Sequence, residues 1–164
     1  MRKILIVMRH AKTETQQPGQ RDYDRNLLER GRNDAALMAE HLVAAGFLPD
    51  QILTSSASRT EQTTATVKKT ARWEQAGTTS LQQLYHADAA TLEDVVSSAG
   101  DTIATLMIVG HNPGISEFTY HCAPKSIVSE MPTSAVAVFS FEADNWQGFS
   151  RAPKTLELYD YPGK

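Results

Sequence analysis

The stretch Ile4-Leu5-Ile6-Val7-Met8-Arg9-His10 decides the fold. Five consecutive apolar residues, three of them β-branched, form the pattern of a central strand covered on both faces. The run stops at an arginine and a histidine, so polar chemistry begins where the strand ends. Thr105-Leu106-Met107-Ile108-Val109 repeats the pattern and runs into Gly110-His111-Asn112-Pro113-Gly114. A shorter strand, Ile52-Leu53-Thr54, lies between the two in sequence.

Helical patterns alternate with these runs. Ala35, Met38, Ala39, Leu42 and Ala45 share one helix face, with Gly46 as the stop. Ser58-Arg59-Thr60-Glu61 reads as a capping box opening a helix to about Ala71. Leu92, Val95, Val96 and Ala99 mark a third helix, with Asp88 or Thr91 as its N-cap, and a short helix is predicted over Ile115 to Cys122. The polar residues 11–26 read as a loop. Near the end, residues 135–142 alternate as a half-exposed strand, with 155–159 as its partner. This alternation predicts an α/β fold: one three-layer α/β/α domain over residues 1–164 with a mostly parallel central sheet.

Composition narrows the function. The chain has 164 residues, 41% hydrophobic and 21% charged, enough for a sizeable core and too ordered in pattern for a disordered chain. Its net charge of −3 argues against nucleic acid or an anionic membrane surface as partner. The five apolar residues before Arg9 are too few for a signal-peptide core, and no segment approaches the ~20 of a membrane span. The single cysteine, Cys122, can form no internal disulfide and is no metal framework. A cytoplasmic location is the expectation.

Ligands of parallel sheets bind beyond the carboxyl ends of the strands. His10 and His111 both sit at such ends, and Arg59 lies at the loop-to-helix junction after a third strand. Singly, each has a bland explanation as a polar strand end, a Gly/Asn/Pro turn or an exposed helix residue. Jointly they form two histidines and two arginines at converging exits. Guanidinium forks fit phosphate oxygens and stay charged. A neutral imidazole is a competent nucleophile, a protonated one stabilises developing negative charge, and the first amides of the 58–71 helix add anion binding. The combination points to phosphoryl transfer through a phosphohistidine, with neither metal nor other cofactor. One neutral and one protonated imidazole predict a bell-shaped pH–rate profile.

Arg9-His10-Ala11-Lys12, Ser55-Ser56-Ala57-Ser58-Arg59-Thr60-Glu61-Gln62-Thr63 and Gly110-His111-Asn112-Pro113 together resemble the histidine phosphatase superfamily, which includes phosphoglycerate mutases and acid phosphatases. Asp24-Arg25-Asn26-Leu27-Leu28, Leu84-Tyr85 and Met131-Pro132-Thr133-Ser134-Ala135 extend the resemblance, and the short chain looks most like the SixA branch of phosphohistidine phosphatases. The resemblance implies a phosphoglycerate mutase-like fold. It makes His10 the phosphorylated nucleophile, and Arg9, Arg59 and His111 its phosphate ligands. Arg25 matches a position that supplies a further arginine to the substrate side.

The chain departs from larger family members, which carry a glutamate as general acid after the strand following the Arg59 helix. Here that stretch is Leu81-Gln82-Gln83-Leu84-Tyr85-His86-Ala87-Asp88. Asp88 is the expected substitute, with His86 the alternative. A missing acid suits a P–N bond, whose imidazole leaves readily, better than a phosphate monoester. The expected substrate is therefore phosphohistidine on a partner protein, a phosphorelay domain or a phosphotransferase carrier.

Overall fold

Alternating side chains of the first strand divide the core in two. A computed structural model describes all 164 residues. In chain order these form β1 (Arg2–Arg9), α1 (Glu29–Ala44), β2 (Gln51–Ser55), α2 (Ser58–Ala71), β3 (Gly77–Leu81), α3 (Ala89–Ser97), β4 (Thr105–Gly110), α4 (Gly114–Cys122), β5 (Val136–Glu142) and β6 (Thr155–Asp160). Short 3-10 turns occupy Asp22–Asp24, Gln82–Leu84 and Trp146–Gly148.

The strands make one sheet in the order β3-β2-β4-β1-β5-β6. β3, β2, β4 and β1 pair in parallel, while β5 is antiparallel to both β1 and β6. Leu5 and Val7 point toward Leu92 and Val96 of α3 and Ile115 and Phe118 of α4. Ile4, Ile6 and Met8 point toward Met38 and Leu42 of α1 and Val67 of α2. Trp146 and Trp73 are buried, one on each side. On α1, His41 Nδ1 lies 2.6 Å from Asp160 Oδ2 of β6.

Three local readings change. β5 is buried on both faces except at Glu142, because Val136 and Val138, on the face that alternation assigns to solvent, pack in the same core cluster as Met38 and Leu42 of α1, while Ala137, Phe139 and Phe141 pack on the α3/α4 side. The capping box does not form: Ala57 is the N-cap of α2, Glu61 accepts from Ser80 Oγ at 2.7 Å, and Thr60 Oγ1 bonds back to Ser55 and Ala57 carbonyls. Helix α1 begins at Glu29, one and a half turns before the apolar spacing, because Gly31 packs on the chain leaving β1. A Cβ at Gly31 would meet the Lys12 carbonyl oxygen at 2.3 Å.

Candidate active site

β1 and β4 are parallel neighbours in register at Arg9 and Gly110, and the His10 amide donates to the Gly110 carbonyl at 3.1 Å. Their chains then leave for opposite faces of the sheet, β1 toward α1 and β4 into α4. This divergence opens a crevice at the strand ends. His10 and His111 line it with ring centroids 5.4 Å apart. β2, on the other side of β4, ends at Ser55 and delivers Arg59 in the first turn of α2. No side chain caps that turn, so its first amides remain available to an anion.

The tautomer of His10 follows from its partner. Nδ1 lies 2.7 Å from the Ala11 carbonyl oxygen, which can only accept, so the ring proton sits on Nδ1 and the lone pair on Nε2. Ala11 is itself anchored to α2 by donating to Thr63 Oγ1 at 3.0 Å. Burial and the charges of Arg9, Arg59 and Arg25 push the His10 pKa down to about 3, overriding its backbone hydrogen bond. At neutral pH it is an uncharged nitrogen base.

His111 Nε2 lies 2.7 Å from Ser55 Oγ, which also accepts from the Ala57 amide. The hydroxyl can either donate to Nε2, with the imidazole proton on Nδ1, or accept from it through its second lone pair. Burial, Arg59 and the two neighbouring histidines push the His111 pKa down to about 2. The pocket's own charges thus keep both imidazoles neutral, in contrast to the one-neutral, one-protonated pair expected from sequence. A bound phosphoryl group would supply the opposite field and favour a proton on His111.

Arg9 donates through Nη1 to the Met131 carbonyl at 3.0 Å, and Arg59 through Nη1 to the Asp22 carbonyl at 2.8 Å. In both, Nε is buried without a partner. His111 Nδ1 and Ser134 Oγ complete the set of buried side-chain polar atoms lacking hydrogen bonds in the molecule. Ser134 adjoins His10, its amide donating to the His10 carbonyl at 3.0 Å. Unsatisfied buried polar groups are costly, and here they gather around one pair of imidazoles.

Asp22 is a member of the site that sequence reasoning missed. Its Oδ2 accepts from Arg59 Nη2 at 2.9 Å and from the Tyr85 hydroxyl at 2.6 Å, while Oδ1 accepts from Arg25 Nε at 2.9 Å. Partial burial opposes its ionisation, but the Tyr85 hydroxyl and the arginines outweigh it and hold the carboxyl well below the usual range. Arg25, which also donates to Thr13 Oγ1, therefore reaches the site through Asp22. The spacing Asp22-x-x-Arg25 in a polar loop was the available signal.

The structure separates the two candidate acids by position. Asp88 caps α3, accepting from the Thr91 amide at 2.8 Å, and that bond holds its carboxyl below the usual range. It makes no hydrogen bond or ion pair with the cluster, and a carboxylate serving as a cap is poorly placed to deliver a proton. His86 does join the cluster: its Nε2 is 3.3 Å from both Arg59 Nη2 and Asp22 Oδ2, and its ring centroid is 5.4 Å from that of His111. Gly114 makes this possible, because a Cβ there would meet the Ala87 carbonyl oxygen at 1.8 Å. No group of three or more His, Cys, Asp or Glu side chains converges to hold a metal ion.

Known proteins share this fold. A protein designated a phosphohistidine phosphatase, SixA, from Agrobacterium tumefaciens superposes with a TM-score of 0.84 at 26% identity, covering 98% of each chain. The protein histidine phosphatase SixA solved with tungstate gives 0.78 at 21% identity, covering 97% of each chain, a likeness of fold. An uncharacterized protein of Mycobacterium tuberculosis is 33% identical over 150 residues, 85% of this chain and 89% of that one. Residues 5–86, from β1 through His86, match the family model for branch 1 of the histidine phosphatases. By fold, motif and site, the chain belongs to the histidine phosphatase superfamily.

Proposed function

We propose that this protein is a phosphohistidine phosphatase, acting without a metal on a phosphorylated histidine of a partner protein in the cytoplasm. The observation that carries the reading is the state of His10: an uncharged imidazole with Nε2 free, set among guanidiniums whose Nε donors are buried and unpartnered. Nε2 of His10 attacks phosphorus in line. A P–N bond forms to His10 as the substrate's P–N bond breaks, and the departing imidazole nitrogen keeps the electron pair and takes a proton from solvent, while His10 keeps its Nδ1 proton as the phosphorylated imidazolium. Arg9, Arg59 and His111 hold the equatorial oxygens. Water then attacks phosphorus, releasing inorganic phosphate and restoring neutral His10. The free thiol of Cys122 suits a reducing compartment.

His86 supports a second reading, a small-molecule phosphomonoesterase. An alkoxide needs a proton to leave, and His86 is a titratable group beside Arg59. The two readings separate on one variant. His86→Ala is expected to preserve release from phosphohistidine and to reduce monoester hydrolysis by about 10²-fold or more. The decisive assay measures phosphate release in EDTA from a phosphohistidine protein, a phosphoserine peptide and a sugar-phosphate panel, with His10→Ala as control. Release confined to phosphohistidine and lost in the variant supports the first reading; release mainly from monoesters supports the second. Tight phosphate binding without turnover would leave a non-catalytic phosphoprotein-binding domain.

A further inference from the structure

A groove of about 550 Å³ runs from Arg9 along α4 to the segment before Met131. Ser116 and Tyr120, one helical turn apart, form its wall on α4, with Glu117 beside them; Val128 and Glu130 form the opposite side. Arg9 links it to the phosphoryl pocket, so a substrate whose phosphorus faces His10 must send its remaining atoms along this groove or across the Asp22–Tyr85 side. The space exceeds what one phosphoryl group fills. Tyr120 and Val128 are large side chains left 48% and 71% exposed.

The charges in the groove oppose an anionic occupant. Glu130 is held by Asn112 Nδ2 at 3.1 Å and lies close enough to Arg9 for its charge to act on that guanidinium. Glu117 adds a second carboxylate, and Arg9, the cation here, faces the phosphoryl group. A sugar bisphosphate or an acidic peptide would meet two like charges immediately outside the pocket. A segment carrying lysine or arginine beside its phosphorylated residue would meet complementary ones, with its aliphatic stem against Tyr120 and Val128.

We infer that this groove docks the partner chain next to its phosphohistidine and selects a basic side chain there. The inference rests on the phosphohistidine reading and adds to it the character of the flanking sequence. It also gives the enzyme a means of separating phosphohistidine proteins from small phosphate esters without a lid over the pocket.

Two phosphohistidine peptides differing only in flanking residues, lysine in one and glutamate in the other, test it, with phosphoramidate as the small substrate common to all variants. The lysine peptide is expected to show kcat/KM at least tenfold above the glutamate peptide at low salt, with the ratio shrinking as salt rises. Glu117→Lys is expected to erase or invert that preference while leaving phosphoramidate hydrolysis unchanged, and Glu130→Gln, whose charge also acts on Arg9, to reduce the preference as a ratio between the two peptides. Equal rates on the two peptides, or a preference that survives both substitutions, would overturn the docking site while hydrolysis of phosphoramidate and peptides kept the phosphohistidine reading intact. No release from phosphoramidate or either peptide, with release from monoesters, would overturn both.

Discussion

Asp22 Oδ2 accepts a hydrogen bond from Arg59 Nη2 at 2.9 Å, so a carboxylate from the loop after β1 holds the arginine proposed as a phosphoryl ligand. The contact orients a guanidinium that is almost wholly buried, and it places a negative charge beside the proposed anion site. Asp22→Asn keeps an oxygen for Arg59 and removes the charge. Its affinity for tungstate or phosphate is expected to rise by about tenfold, equivalent to about 1.4 kcal/mol. Calorimetric titration checks this; unchanged or weaker binding would make Asp22 purely an anchor.

Anion binding should take up protons. His111 is neutral because burial and Arg59 push its pKa down to about 2, and a dianion beside it reverses the sign of the local field. Calorimetry of tungstate binding near pH 7, in buffers of different ionisation enthalpy, is expected to show net proton uptake that disappears in His111→Asn. His10, at about 3, stays unprotonated well below neutrality. Loss of rate is therefore expected on the alkaline side, as His111 fails to protonate, with no acid limb from His10 above about pH 4. This replaces the bell-shaped profile expected from sequence.

The same two residues set an acid limit on stability. Their folded values, about 3 and about 2, lie below the ~6.5 of an exposed histidine, so between these values the unfolded chain binds more protons. Their contribution is complete above about pH 6.5 and is lost progressively as pH falls toward 3. Thermal midpoints are expected to decline over that interval, and more gently in His111→Gln. An equally steep decline in the variant would place the sensitivity elsewhere.

Ser134 combines two local costs. Its φ of 64° is in the left-handed region that favours glycine, and its buried hydroxyl has no partner. Ser134→Gly relieves both and is expected to stabilise the protein by about 1 kcal/mol, raising Tm by roughly 2–4 °C. Turnover is expected to fall at the same time, because the residue adjoins His10 through its backbone amide and its hydroxyl is one of the buried, unpartnered polar atoms. A gain in Tm with unchanged turnover would make Ser134 a packing residue.

Much of the sheet was legible because β1 and β4 announce themselves locally: covered on both faces, they carry unbroken apolar runs, Ile4 to Met8 and Leu106 to Val109. β3 escaped for the opposite reason. At the sheet edge, Gly77-Thr78-Thr79-Ser80 is exposed throughout and leaves no apolar pattern to read. Asp88 shows how far a local reading reaches. The residue is the N-cap its sequence context suggested, and it makes no hydrogen bond to the histidine–arginine cluster, which only the packing of distant segments could show.

By itself the sequence determined the strands that end in His10 and His111, the helix that opens near Arg59, and hence a cationic site at adjacent strand ends. These follow from local periodicity, since an apolar run must be covered and its polar terminus must emerge. Only the tertiary structure decided that Asp22 holds Arg59 across 37 residues, that His86 rather than Asp88 joins the cluster, and that Ser134 adjoins His10. Those pairings depend on how closely separate elements pack, as where the missing Cβ of Gly114 lets α4 lie against the Ala87 carbonyl. Close approach between distant segments leaves no periodic trace in the chain.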